Sequence, residues 1–196
     1  MSHGYLKFIS KEEINELPLY HFEGKFELID TNEKALTAVK EISEYKVLGF
    51  DTETRPSFRK GEVYKASLLQ LATVNRTYLF RLNKLSDYSG LSRILTDEHT
   101  IKVGVAILDD VKGLQKLFPV DLKGFVDIAK HVEKQGFTSF GLRALTAIFL
   151  GKRLSKKAKI TNWEKDVLTS EQLTYAACDA QVGLLIYQKI LGMGAL

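Results

Sequence analysis

The sequence contains a single cysteine, Cys178, among its 196 residues. One thiol cannot form a disulfide within the chain. The amino-terminal stretch also lacks the basic residues, apolar run and small-residue cleavage site that together mark a secretory signal. We therefore expect a reducing, cytoplasmic setting.

Long apolar runs are missing as well. No segment approaches the roughly 20 consecutive apolar residues that a membrane-spanning helix needs, so the sequence predicts no membrane partner. With 45% hydrophobic residues, the chain has enough apolar side chains to bury one substantial core. The apolar segments are accordingly interpreted as the core of a folded domain.

Repeats, low-complexity tracts and Pro/Ser-rich linkers are absent, so no composition shift marks a second domain. We predict a lead-in at residues 1–24, whose first four residues are interpreted as a cloning remnant, and one catalytic domain at residues 25–196. Nothing in the sequence indicates an obligate protein partner.

The four histidines show no paired ligand spacing, and one cysteine cannot complete a zinc site. Neither a nucleophile elbow nor a glycine-rich phosphate loop is present. The formal net charge of +4 and the pI near 9.0 suit a partner made of phosphates. The charge excess is small and decides little by itself.

Short apolar runs alternate along the chain with segments that carry apolar residues at helical spacing. The runs predict strands at residues 26–29, 46–50, 66–73, 77–82, 101–107 and 125–128. Helices are predicted after a capping-box sequence at Ser10, within residues 30–45, around residues 142–149 and over residues 170–191. This alternation indicates an α/β domain with a mixed sheet.

Two acids, Asp51 and Glu53, directly follow the apolar run at residues 46–50. A buried strand that ends there delivers both carboxylates to the carboxyl edge of the sheet, where they can share a metal. The alternative is an ordinary strand-end turn that happens to contain two acids. The position after a buried strand favours the metal site.

Two further acids lie at places where a carboxylate has both a structural and a chemical use. Asp110, beside Asp109, comes where a predicted strand enters a helix, so either residue is a candidate helix cap or metal ligand. Asp179 lies four residues after Tyr175 on the final predicted helix, which places phenol and carboxylate on one face. A carboxylate in so apolar a helix needs solvent or a cation.

Four carboxylates from a strand, a helix start and a distant helix would form one oxygen-rich site. Such a set of hard ligands suits Mg²⁺ or Mn²⁺. The prediction depends on Asp51, Glu53, Asp110 and Asp179 converging in space.

Three ordered motifs resemble the DEDD family of 3′-to-5′ exonucleases, in its tyrosine-bearing branch. The first is GFDTE at residues 49–53 with LLQLA at 68–72, and the second is VGVAI at 103–107 leading to Asp110. The third is NWE at 162–164, LT at 168–169, Gln172 and YAACDA at 175–180. The resemblance runs from about residue 25 to 191, and Thr174 stands where the histidine-bearing branch would need its histidine.

The resemblance implies a ribonuclease H-like, DnaQ-like mixed sheet with helices packed on both faces. It implies that Asp51, Glu53, Asp110 and Asp179 bind two divalent cations and that Tyr175 places the attacking water. The expected activity is hydrolysis of DNA or RNA from a free 3′ end, which releases nucleoside 5′-monophosphates. Rival interpretations are a catalytically silent nucleic-acid-binding module and an endonuclease of the ribonuclease H type.

Other residues are candidates for contact with the substrate. Thr52 lies between the first two acids, and Lys156, Lys157 and Lys159 belong to a dense basic segment that either follows phosphates or forms a solvated loop. Trp163 either stacks on a base or packs beneath the final helix.

Overall fold

A single mixed sheet forms the centre of the computed structural model, which describes residues 5–59, 61–155 and 161–192. Its strands are β1 (Lys25–Ile29), β2 (Val47–Thr54), β3 (Ala66–Ala72), β4 (Arg76–Arg81), β5 (Ile101–Gly104) and β6 (Phe125–Asp127). They are ordered β1-β4-β3-β2-β5-β6. The β3 strand is antiparallel to β2 and β4, and the other neighbours are parallel.

The helices in the described residues are α1 (Lys11–Glu16), α2 (Asn32–Ile42), α3 (Ser89–Thr96), α4 (Leu108–Gln115), α5 (Ile128–Lys134), α6 (Leu142–Leu150) and α7 (Ser170–Leu191). The predicted capping box at Ser10 is confirmed, and α7 has the predicted bounds because Thr169 and Gln172 form a second capping box. No helix among these residues is long and apolar enough to span a membrane.

Alternating residues of β2 pack against helices on opposite faces of the sheet. Leu48 and Phe50 are buried in the same core cluster as α2 and α3. Gly49 faces α7, where an added Cβ would overlap the backbone carbonyl oxygen of Ala180. Strand side chains alternate between faces, so Asp51 and Glu53 share the α7 face with Gly49. The predicted mixed sheet with helices on both faces is confirmed.

The strand that carries the first two acids is longer than predicted. The sequence ended it at residue 50, but β2 continues to Thr54 because β3 pairs with it as far as that residue. Backbone pairing does not depend on the polarity of the side chains, which is why hydropathy missed it. On the other edge, β5 pairs only with Val47, Leu48 and Gly49. In the described part of the chain, β2 therefore has no strand partner on this edge beyond Gly49, where the acids lie.

The lead-in packs on the domain. The ring of Tyr5 lies 4.9 Å from that of Phe149 on α6, and the Arg153 Nε donates to the Leu17 carbonyl at 2.9 Å. Ile9 and Lys11 reach the cavity that contains the acids. The segment thus contributes to a wall of the candidate site.

Candidate active site

Three carboxylates meet where the α7 face of β2 approaches α7. Asp51 and Glu53 lie two residues apart on β2, and Asp179 lies on α7. One carboxylate oxygen of each lies within 4.8 Å of those of the other two, and all three residues are partly buried. Hard oxygen ligands at this spacing fit a divalent cation, whose charge would also relieve their mutual repulsion.

The fourth acid, Asp110, reaches the site from the other face of the sheet. It lies in the first turn of α4, and the hydroxyl of Thr52, which points away from the α7 face, donates a hydrogen bond to it. Burial raises the pKa of the Asp110 carboxyl above its usual range, against the lowering effect of that hydrogen bond. Asp110 lines the same cavity but is not in the three-residue group.

Neither acid of α4 is its N-cap residue, which is Ile107, and the Ile107 side chain forms no cap hydrogen bond. Asp109 and Asp110 both lie in the first turn, and the Asp110 carboxyl accepts a hydrogen bond from its own backbone amide. Asp109 points into solvent, with 93% of its side chain exposed, and pairs with Lys112 at 3.0 Å. Asp110 is therefore available for a role in the cavity.

Tyr175 lies one helical turn before Asp179 on α7, and its hydroxyl is hydrogen-bonded to the Asp179 carboxylate. Burial raises the pKa of this phenol far above its usual range, and the nearby carboxylates, Asp179 first, raise it further. The hydroxyl therefore stays protonated and acts as a hydrogen-bond donor. Burial also raises the pKa of the neighbouring Cys178 to about 12, so this thiol is not a nucleophile at neutral pH.

The acids line an open cavity of about 770 Å³. The motifs did not predict most of the remaining lining, which comes mainly from the lead-in, the segment before α6 and α6 itself. The chemically distinct members are Lys11, Phe140 and Arg143. They lie far from the acid motifs along the chain, so only their arrangement in space reveals them.

A further acid, Asp127, supports the turn before α4. Its carboxylate accepts hydrogen bonds from the backbone amides of Ala106 at 2.9 Å and Ala129 at 3.0 Å. Ala106 has a φ of 60°, in the left-handed region that favours glycine. Asp127 is the N-cap of α5, and an aspartate before an apolar helical pattern is the signal that could have identified it.

The predicted substrate contacts other than Thr52 are Trp163 and three lysines. Trp163 is fully buried in the core cluster that includes Leu68 and Ala177, so the stacking prediction is wrong and the packing alternative is confirmed. The large indole surface stabilises the fold more when buried than when exposed. The predicted contacts of Lys156, Lys157 and Lys159 lie outside the described residues.

Comparisons with known proteins identify the family of this chain. A family profile described as "3'-5' exonuclease" matches residues 26–194. The chain belongs to the 3′-5′ exonuclease family. It is 33% identical over 191 residues to the bifunctional 3'-5' exonuclease/ATP-dependent helicase WRN of Mus musculus, covering 92% of this chain and 14% of that protein.

A second relative, exonuclease 3'-5' domain-containing protein 2 of Drosophila melanogaster, is 34% identical over 150 residues, which cover 74% of this chain and 25% of that protein. The chain therefore corresponds to a minor part of these relatives' length.

Solved structures show the same fold. The Aedes aegypti Nibbler EXO domain superposes with a TM-score of 0.78 at 25% identity, covering 90% of this chain and 91% of that one. Escherichia coli RNase D superposes with a TM-score of 0.80 at 22% identity, covering 86% and 45%. The ribonuclease H-like fold and the DEDD-family resemblance are confirmed. The family is one of nucleases that use divalent metal ions, and the group of three carboxylates in this chain fits such ions.

Proposed function

We propose that this chain removes single nucleotides from the 3′ end of a nucleic acid and releases nucleoside 5′-monophosphates. The observation that carries the proposal is the group formed by Asp51, Glu53 and Asp179, whose carboxylate oxygens lie within 4.8 Å of one another in an open cavity. Family membership supports the exonuclease reaction, and the ligand chemistry supports a metal-dependent one.

Asp51, Glu53 and Asp179 would hold two divalent cations, Mg²⁺ or Mn²⁺, with Asp110 as the fourth ligand. When bound, such cations neutralise phosphate charge and make water a better nucleophile near neutral pH. The hydrogen bond from Thr52 orients Asp110 at the edge of β2 that faces β5. Thr52 also lines the cavity, which supports its assignment to the substrate-contacting residues.

Tyr175 would position the attacking water. Its hydroxyl keeps its proton because burial and the surrounding carboxylates disfavour the phenolate. A protonated phenol that donates its hydrogen bond to Asp179 cannot act as a general base, but its oxygen can accept a hydrogen bond from a water molecule beside Asp179. Orientation, rather than proton removal, is the role that this environment permits.

The basic segment that contains Lys156, Lys157 and Lys159 would follow the phosphates of the substrate beyond the cavity. Replacing these three lysines with alanine should flatten the salt dependence of single-strand binding by roughly 0.7 per lost phosphate contact. An unchanged slope would favour the solvated-loop alternative.

The test is a nuclease assay on the purified chain with matched DNA and RNA strands labelled at the 5′ end. Added Mg²⁺ or Mn²⁺ should give a ladder of strands shortened one nucleotide at a time, and EDTA should stop the reaction. Internal fragments at early times would indicate an endonuclease. Binding without hydrolysis under every metal condition would indicate the silent module.

A further inference from the structure

Arg143 is a cation in the acid-lined cavity. It lies on α6, whereas the carboxylates come from β2, α4 and α7. Its Nε atom is buried and has no hydrogen-bond partner in the part of the chain that the structure describes. None of the ion pairs found there includes Arg143. In the described residues, no carboxylate therefore forms an ion pair with this guanidinium.

The position of Arg143 on α6 makes an anion beside it more favourable. Arg143 is the second residue of α6, whose N-cap, Gly141, provides no side-chain acceptor, and the first turn contains no acid. The amino-terminal end of a helix carries a partial positive charge, so a cation there is unfavourable unless an anion is close. A phosphate would satisfy both the guanidinium and the helix end.

The other partly or fully buried arginines have partners at their guanidinium groups. The Arg81 Nε is also buried without a hydrogen-bond partner, but its terminal nitrogens donate to the backbone carbonyls of Lys165 and Asp166. Arg76 pairs with Glu27 at 2.6 Å, and Arg153 donates to the backbone carbonyl of Leu17. These side chains have structural partners that hold the fold together. Arg143 instead lines the space that a substrate would enter.

We propose that Arg143 binds the phosphate next to the scissile one, on its 5′ side, in a single nucleic-acid strand. This inference rests on the proposed function in one respect, which is that the scissile bond lies at the group formed by Asp51, Glu53 and Asp179. The strand that remains after cleavage extends in the 5′ direction, so its first phosphate leaves the carboxylates and reaches another part of the lining. An arginine there offsets the repulsion between that phosphate and the acids.

The test compares loss of charge on the protein with loss of charge on the strand. Single-stranded DNA oligonucleotides carry one uncharged methylphosphonate at the first, second or third linkage from the 3′ end. Their binding to the wild type and to Arg143→Gln is measured by fluorescence anisotropy in EDTA at low salt, so no strand is hydrolysed. Arg93→Gln on α3, an exposed arginine outside the cavity, is the matched control for net charge.

We expect Arg143→Gln to weaken binding of the unmodified strand about tenfold, with Arg143→Lys in between. The methylphosphonate at the second linkage should weaken wild-type binding by a similar factor and leave binding by Arg143→Gln nearly unchanged. Arg93→Gln should behave as the wild type does.

Three results would overturn the proposal. The first is equal binding of the unmodified strand by Arg143→Gln and Arg93→Gln. The second is a methylphosphonate at the second linkage that weakens binding by Arg143→Gln as much as binding by the wild type, and the third is a methylphosphonate effect that Arg143→Gln abolishes at the first or third linkage instead. If a variant folds poorly, the three methylphosphonate strands still show which linkage the wild type recognises. A chain that shows the coupling but hydrolyses nothing with Mg²⁺ or Mn²⁺ would retain this site and lose the proposed function.

Discussion

The Asp127 carboxylate accepts the backbone amide of Ala106 at 2.9 Å and so holds a left-handed residue in place. Ala106 lies four residues before Asp110, in the turn that leads from β5 into α4. A residue with a side chain adopts this backbone conformation only at a cost of about 1 kcal/mol. We infer that Asp127 positions Asp110 through the backbone of this turn, since its side chain is not part of the cavity lining.

Asp127→Ala removes both hydrogen bonds and the cap of α5, so we expect a loss of about 1–2 kcal/mol in the free energy of unfolding. Turnover should fall roughly 10- to 100-fold because Asp110 moves.

Asp127→Asn keeps an acceptor oxygen and should stay near the wild type in stability and turnover. Adding Ala106→Gly to Asp127→Ala should restore part of both losses, since glycine adopts this φ without strain. Denaturant unfolding and steady-state rates measure these effects, and no rescue would contradict the positioning role.

Tyr175→Phe preserves the packing of the ring beside Trp163, whose ring centre lies 6.3 Å away, and deletes only the hydroxyl. We expect turnover to fall roughly 10- to 1,000-fold, the scale of one lost transition-state contact. The melting temperature should change little. Unchanged turnover would reduce Tyr175 to a core residue, whereas a collapsed melting temperature would mean that the substitution tested folding.

We expect Lys102 to make the stability of the fold depend on pH. Its buried ammonium donates to the carbonyls of Ile94, Asp97 and Thr100 at 2.7–3.0 Å, and burial lowers its pKa from 10.5 to about 8. Between these two pKa values the unfolded chain binds more protons than the folded one, so this residue makes stability rise with pH.

The measurement is the free energy of unfolding of the wild type minus that of Lys102→Met. We expect this difference to increase by about 2–3 kcal/mol from pH 7 to pH 10. The tyrosines of the unfolded chain also titrate at about pH 10, but they contribute equally to the free energies of unfolding of both proteins, so the subtraction removes their contribution. A flat difference would mean that the three carbonyl contacts keep the pKa of Lys102 near its ordinary value.

Asp51→Ala and Asp179→Ala test the carboxylate group. Each should lower turnover at least about 1,000-fold and leave stability without metal unchanged or slightly higher, because one repelling charge is removed. Mn²⁺ should raise the melting temperature of the wild type by mass action and raise that of either variant less. A variant with a near-normal rate and a full Mn²⁺ shift would not have lost a ligand.

Local patterns were enough to predict much of this molecule. The long helix α7 was predicted to the residue because its cap residues and apolar periodicity agree. The same periodicity placed Tyr175 and Asp179 on one face, which the structure bears out. Such features depend on neighbours within a few residues, so sequence spacing describes them well.

Features set by the pairing of distant segments could not be predicted in this way. The separation of Asp110 from the other three acids follows from the extension of β2 beyond β5, which places Thr52 and Asp51 on opposite faces. Arg143 has no motif around it, and its unsatisfied Nε appears only once α6 packs beside the cavity. Trp163 was open to two interpretations because an aromatic residue suits a core and a base equally well.

The most direct test of the proposed activity is the rate at which the purified chain shortens a strand labelled at the 5′ end. Three conditions are compared: Mn²⁺ with a free 3′ hydroxyl, Mn²⁺ with a blocked 3′ end, and excess EDTA. We predict single-nucleotide shortening in the first condition only, with nucleoside 5′-monophosphates as products. Equal hydrolysis in EDTA, or equal release of internal fragments from the blocked strand, would contradict a metal-dependent 3′-to-5′ exonuclease.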